Sequence, residues 1–295
     1  MRPHLLLAVA ALVAVALATL AAADADPAYV AAIEKFRQER EARLKADDGW
    51  LTVAGLFWLH EGENTVGADP TNDFVLPEGS APPEVGTFEY RDGKVTAHIR
   101  NGVTVTHKGQ PIQSVSLEPG AANALAIAGL SLWVHPSGDR LAIRLRDRNS
   151  PIRTNFTGCR WFPVNEAFRV TGRFVKHDAP KTVRVPNILG DTETYSSPGV
   201  VDFTVNGQAV RMEALTSGQR LWFIFRDLTS RQETYPSARF LYAELSPDGS
   251  VVLDFNQAVN PPCAFNPYTT CPLPPEQNRL RVRIEAGELR YHTES

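Results

Sequence analysis

The sequence predicts an all-β fold, with two β-sandwich or barrel-like units behind one amphipathic helix. Three observations carry this. Apolar residues alternate with polar ones in many short runs, the pattern of half-buried strands. Turn dipeptides separate those runs, and the 295 residues include 20 glycines and 22 prolines, a density that favours short strands over long helices. Helical spacing is confined to one segment near the N-terminus.

Residues 1–23 read as a signal peptide. Arg2 supplies the positive charge, Leu5 to Leu17 the apolar stretch and Ala21-Ala22-Ala23 the small-residue cleavage site. The expected location is therefore periplasmic or secreted, in a bacterium, with no membrane span after cleavage. Residues 24–48 hold the helix. Asp26-Pro27 is an N-cap followed by proline at the first helical position. Val30, Ile33, Phe36, Arg40 and Leu44 recur at helical spacing, and Asp47-Asp48-Gly49 ends the run.

Residues 49–136 form the first β unit. "GTFEYRDGKVTAHI" is two strands about Asp92-Gly93, a hairpin dipeptide. Residues 137–295 form the second. In "VDFTVNGQAVRMEAL", Val201, Phe203 and Val205 alternate, Asn206-Gly207 turns, and Val210 and Met212 resume. "RLWFIFRD" is apolar on both faces, so a strand covered on both sides is expected. "NRLRVRIEAGELRYH" alternates Leu280, Val282 and Ile284 with Arg281 and Arg283, and reads as a strand with a solvated arginine face. The division between the units falls near His135-Pro136-Ser137-Gly138. An internal repeat links them: "RLAIRLRDRNSPIRT" (140–154) aligns without gaps on "RLWFIFRDLTSRQET" (220–234), with six of fifteen positions identical. Two copies are too few for a solenoid or propeller and suit two halves of one β body.

The segment 256–278 is a loop rich in proline and asparagine. Proline limits the entropy lost on ordering, and asparagine can serve exposed backbone groups. In an oxidising compartment Cys263 and Cys271 are candidates for a disulfide, a small ring contributing about 2–3 kcal/mol in the chain-entropy model. Such a rigid segment either covers a sheet edge or builds a pocket wall.

"FRDLTS", "ETYPSARFL", "LDFNQAVNPPCAFNPYTTCPLPPEQNRL" and "AGE" resemble a bacterial and archaeal family catalogued as domain of unknown function 1684, over about Gly49 to Glu288. The resemblance implies kinship and a common site, and no reaction. "NTVGADPTNDFVLPEGSAP" followed by "VTVTHKGQPI" is similar to the layout of forkhead-associated domains, which implies a β-sandwich. The donors that phosphothreonine recognition needs are missing: Gly67-Ala68 stands for the family's glycine-arginine pair and Lys108-Gly109 for its asparagine-glycine.

Several chemistries lack their residues. A net charge of -3 leaves no electrostatic footprint for nucleic acid. The histidines from His60 to His292 are scattered, without H-E-x-x-H, so no metal or cofactor is expected. Ser230 has neither a nucleophile elbow nor a neighbouring histidine. What remains is a set of polar residues expected at strand ends beside the proline loop: Asp227, Tyr235, Arg239, Asp254, Asn256 and Asn260. The first reading is a pocket of the C-terminal unit that binds a small polar or anionic ligand, with Arg239 as the clamp. The second is an envelope glycan or peptide hydrolase with Asp227 and Asp254 as acid and base. The third is a structural envelope protein without a pocket.

Overall fold

The structure, a computed structural model, describes residues 26–291; the expected signal peptide and His292 lie outside them. Helix α1 (Pro27–Lys45) starts as the sequence predicts, with the Asp26 side chain accepting from Ala28 N. Its inward face carries Ile33 and Leu44, both buried, but also Arg37 and Arg40. Arg40 thus lies on the inward stripe as its spacing predicts, and Arg37 turns toward protein beside it. The Arg37 guanidinium lies 5.0 Å from the Trp161 ring.

The first unit is built from β1 (Val53–Trp58), β2 (Gly62–Gly67), β3 (Phe74–Val75), β4 (Gly86–Arg91), β5 (Lys94–Ile99), β6 (Thr106–His107), β7 (Gln110–Pro111), β8 (Ser114–Leu117), β9 (Leu125–Ile127), β10 (Leu130–Ser137) and β11 (Arg140–Asp147). They form two sheets, ordered β1-β11-β10-β9-β6-β7 and β3-β2-β4-β5-β8. Val66, Phe88 and Ala97 of one sheet pack against Leu132, Ile143 and Leu145 of the other, which makes a sandwich. The predicted β4–β5 hairpin is present. Asp92 and Gly93 both have positive φ, 51° and 76°, as a type I′ turn requires.

The second unit consists of β12 (Arg169–Pro186), β13 (Thr192–Val205), β14 (Gln208–Ser217), β15 (Arg220–Phe225), β16 (Arg239–Ala243) and β17 (Ser250–Asp254). Each is antiparallel to the next, β17 returns to pair with β12, and a Leu245–Val251 bridge joins the last hairpin. The result is a six-stranded barrel. Phe203, Met212, Phe223 and Leu253 fill its interior. Strand β15 is covered on both sides as expected: Phe223 and Phe225 point inward, while Trp222 and Ile224 join an outer cluster with Phe240.

The repeat is visible as geometry. Strands β11 and β15 both follow a Ser-Gly hairpin, with Gly138 at φ 57° and Gly218 at φ 59°. In both, the leading arginine stacks on an aromatic ring: Arg140 over Trp58 at 3.6 Å and Arg220 over Tyr242 at 4.7 Å. Because Ser137 pairs with Arg140 inside the β10–β11 hairpin, the expected division at 136/137 cuts through that hairpin. The sandwich runs on to Asp147.

The C-terminal run corrects the expected strand. Leu280, Val282, Ile284 and Ala286 do alternate inward, but they plug the barrel core as an extended segment outside its sheet. Gly287 lets this segment turn, at φ 83°; a Cβ there would stand 2.5 Å from Ala258 O. The proline-rich loop is pressed onto the body. Phe265 packs with Leu44 and Leu51, and Val259 pairs with Phe240. Asn278 spans two strands, its amide donating to Glu213 O and Ile224 O at 3.0 Å each while Oδ1 accepts from Glu213 N at 2.7 Å.

Candidate functional site

The six predicted site residues fall into four separate knots. Asp227, just after β15, accepts from Thr229 Oγ1 at 2.8 Å, Arg239 Nη1 at 3.2 Å and Ile284 N at 2.6 Å. Arg239, fully buried, also donates to Ile284 O at 3.1 Å and to Ala286 O. Burial pushes this guanidinium below its ordinary pKa, with Asp227 opposing. The pair therefore clamps the C-terminal plug into the barrel, and Arg239 has no open face for a ligand.

Asp254 caps the turn after β17 and accepts from Tyr29 Oη at 2.9 Å. Asn256 donates to the same Tyr29 oxygen at 2.9 Å and bonds the Asn165 backbone through both ends of its amide. Burial, reinforced by the Asp254 hydrogen bond, raises the Tyr29 pKa above its usual value. Tyr235 donates to Cys263 O at 3.1 Å. Asn260 donates to Glu288 Oε1 at 3.1 Å and Leu289 O at 2.8 Å, and Arg40 Nε stands 3.5 Å from Glu288 Oε2. Asp227 and Asp254 have carboxylates engaged in different knots and line no common hollow, so the geometry gives no support to an acid–base pair. Cys263 and Cys271 are adjacent, with Cys263 N donating to Cys271 Sγ at 3.1 Å, and both thiols are free.

A cavity of about 310 Å³ lies elsewhere, where sandwich, helix, barrel and proline loop meet. Its size is at the lower end for small-molecule sites. Asn260 alone of the predicted residues lines it. The loop supplies one wall through Pro262, Thr269, Thr270, Cys271 and Pro272, one of the two roles that its rigidity left open. The barrel supplies an aromatic wall. Trp222 stacks on Tyr242 at 6.0 Å and meets Phe240 and Tyr195 edge-on at 5.0 and 5.4 Å. The indole Nε1–H of Trp222 and the Asn260 Oδ1 have no hydrogen-bond partner among the described residues.

The sandwich supplies the charge. On β11, Ile143 and Leu145 face the sandwich core, so alternation throws Arg144 to the outer face. The barrel and loop cover that face, and Arg144 is only 4% exposed. Its one side-chain hydrogen bond is a long one, Nη2 to Thr270 Oγ1 at 3.4 Å; Nε has no partner, and no carboxylate forms an ion pair with it among the described residues. Burial pushes its pKa down to about 10, with Cys271 and Glu193 opposing and Arg146 adding. His135, on neighbouring β10, sits 3.1 Å from the same Thr270 hydroxyl. Burial, then the Arg144 charge, push it down to about 4, so it is neutral at pH 7. The cavity thus offers one under-paired cation, an indole donor, a neutral imidazole and aromatic faces, beside one carboxylate, Glu193, that Asn187 and Tyr195 already engage. That set can hold a carboxylate or phosphate at one end and an apolar body at the other.

The sequence pattern held one unread signal for Arg144. In the gapless repeat it aligns with Ile224, which joins an apolar cluster, so a charge stands where its twin has a packed side chain.

Comparison with known proteins adds kinship. The family described as "Protein of unknown function (DUF1684)" matches residues 154–289, a narrower span than the sequence resemblance, which included the sandwich. An uncharacterized protein of Haloarcula marismortui, solved by solution NMR, is 30% identical over 46% of this chain and 78% of its own, with a TM-score of 0.39. The FHA domain of FhaA, solved in complex with the intracellular domain of Rv3910, is 17% identical over 30% of this chain and 84% of its own, with a TM-score of 0.23. No curated protein matches.

Proposed function

The chain belongs to the DUF1684 family, a kinship that names no reaction, and from the cavity itself we propose that it is an exported binding protein for a small anionic molecule with an apolar or aromatic body. The observation that carries this reading is Arg144. A buried cation without an ion-pair partner is costly, and an anion entering the cavity would lower that cost. The indole N–H of Trp222, without a partner among the described residues, supports the same conclusion, since a polar ligand atom would satisfy it. Export follows from the character of residues 1–23. In an oxidising compartment the adjacent Cys263 and Cys271 close a disulfide that stiffens the cavity wall. Binding is favoured over hydrolysis because the cavity holds no pair of free carboxylates facing each other.

A thermal-shift screen of the mature chain tests this, using aromatic and aliphatic carboxylates, phosphomonoesters and their uncharged analogues. Anions are expected to raise the melting temperature and their uncharged analogues to leave it unchanged, and Arg144→Met is expected to abolish the shift. Equal shifts from charged and neutral members of a pair would refute the reading.

A further inference from the structure

A second hollow, of about 490 Å³, opens beside the segment that follows β15. Four arginines line it, Arg226, Arg231, Arg279 and Arg281, together with the acids Asp227 and Glu276. Asp227 is already held by Arg239, Thr229 and Ile284 N. Glu276 is exposed at the rim. Among the described residues none of the four arginines forms an ion pair. Arg283, two residues beyond Arg281, is different: Glu233 holds it at 2.6 Å and Glu285 at 2.8 Å.

The backbone brings these cations together from two distant stretches. Arg226 and Arg279 face each other across a parallel bridge, with Arg226 N donating to Asn278 O at 3.1 Å and Leu280 N donating to Arg226 O at 2.8 Å. Alternation then puts Arg281 on the same side as Arg279, while Leu280 and Val282 go into the barrel core. Arg231 sits in a tight turn at φ 90°, a region that residues with a Cβ adopt at an energetic cost. Like charges set opposite one another are destabilising, and burial together with Arg279 and Arg231 pushes the Arg226 pKa below its ordinary value. Surfaces ordinarily intersperse the two signs of charge; here strain and repulsion are both tolerated around one concavity.

We infer that this hollow is a second binding site, distinct from the Arg144 cavity, for a molecule carrying two or more adjacent phosphate groups. A guanidinium presents a planar fork that grips phosphate through paired hydrogen bonds. Several forks around one concavity favour a polyphosphate over a single phosphate. The ligand is either a soluble polyphosphorylated molecule or the phosphorylated headgroup of a lipid.

Calorimetric titration of the mature chain with inorganic triphosphate, beside orthophosphate and sulfate, tests this. Triphosphate is expected to bind about tenfold or more tighter than orthophosphate. The double variant Arg279→Ala/Arg281→Ala changes two exposed side chains and is expected to lose that affinity by about tenfold or more. Arg283→Ala, which removes a paired arginine nearby, and Arg144→Met, which removes the charge of the other site, are each expected to leave it within about twofold. Sedimentation with phosphatidylcholine vesicles, with and without a lipid bearing a bisphosphorylated headgroup, separates the two sources. Capture by the phosphorylated vesicles, reversed by triphosphate, assigns a headgroup; triphosphate binding without capture assigns a soluble ligand. The inference is overturned if triphosphate binds no tighter than orthophosphate, or if Arg283→Ala weakens binding as much as the double variant.

Discussion

Arg144 of the sandwich and Thr270 of the proline-rich loop meet at 3.4 Å, and this long hydrogen bond is the only one the Arg144 side chain makes among the described residues. Around the guanidinium the cavity is lined by aromatic rings, a neutral imidazole, the loop wall and the Glu193 carboxylate, which accepts from Asn187 and Tyr195 and forms no ion pair with Arg144 among the described residues. A side chain this deeply buried and this poorly partnered is a poor structural element and a good receptor for charge.

The first prediction follows. Replacing even a buried ion pair by apolar side chains of similar volume is often neutral or stabilising by about 1–4 kcal/mol, and a buried cation without an ion-pair partner has less to lose. Arg144→Met should therefore leave the ligand-free protein as stable as the parent or stabilise it by about 1–3 kcal/mol while removing anion binding. Urea denaturation of both proteins measures the first effect. A marked loss of stability would mean that Arg144 holds the fold.

The clamp inside the barrel should behave in the opposite way. Arg239→Ala leaves the Asp227 carboxylate buried without its counter-charge and frees Ile284 O and Ala286 O. Breaking a buried pair from one side costs about 3–5 kcal/mol, and that loss is expected in denaturant melts. Hydrogen exchange should rise in the plug, from Leu280 to Ala286, before it rises in the strands of the barrel.

His135 gives the stability a pH dependence. Its folded pKa of about 4 lies below the ordinary 6.5, so between those values the unfolded chain binds more protons than the folded one. The contribution is complete above about pH 6.5 and is lost as the pH falls toward 4. With allowance for partial solvent access it is about 2 kcal/mol. His135→Gln should flatten that part of the stability–pH curve and leave stability at pH 8 little changed; an unaltered curve would remove His135 as its source.

The thiols give a fourth handle. Protein recovered from an oxidising compartment should show no free thiol at Cys263 or Cys271. Reduction should lower its stability by about 2–3 kcal/mol, the loop-closure term for so short a ring. Thiol titration of the denatured protein checks the first point, and quantitative labelling at both positions would contradict it.

Much of the fold was legible because the physics is local. Asn206-Gly207 and Asp92-Gly93 specify hairpins whatever surrounds them, and the two-sided apolarity of Leu221 to Phe225 demands cover on both faces. The rigid loop could also be read as a wall. The six polar residues beside it could not be read correctly, because sequence alone does not distinguish a carboxylate facing solvent from one facing a buried arginine. Asp227, Asp254, Asn256 and Asn260 satisfy neighbouring polar groups, so the family's distinctive motif largely holds shape. The cavity was missed for a related reason. Arg144 and His135 are neighbours in the β10–β11 hairpin, but Trp222 belongs to the barrel, and only the docking of sandwich on barrel brings it to them. The alignment of Arg144 with Ile224 was the local trace of that event.

Anomalous diffraction from crystals of the protein grown or soaked in bromide tests the central claim most directly, because it asks where an anion settles without presupposing which ligand is physiological. A bromide peak is expected inside the cavity, in contact with the Arg144 guanidinium and near the Trp222 indole N–H, and it should be absent from Arg144→Met crystals. A cavity empty of bromide, with the Arg144 guanidinium turned onto the Glu193 carboxylate instead, would contradict the claim.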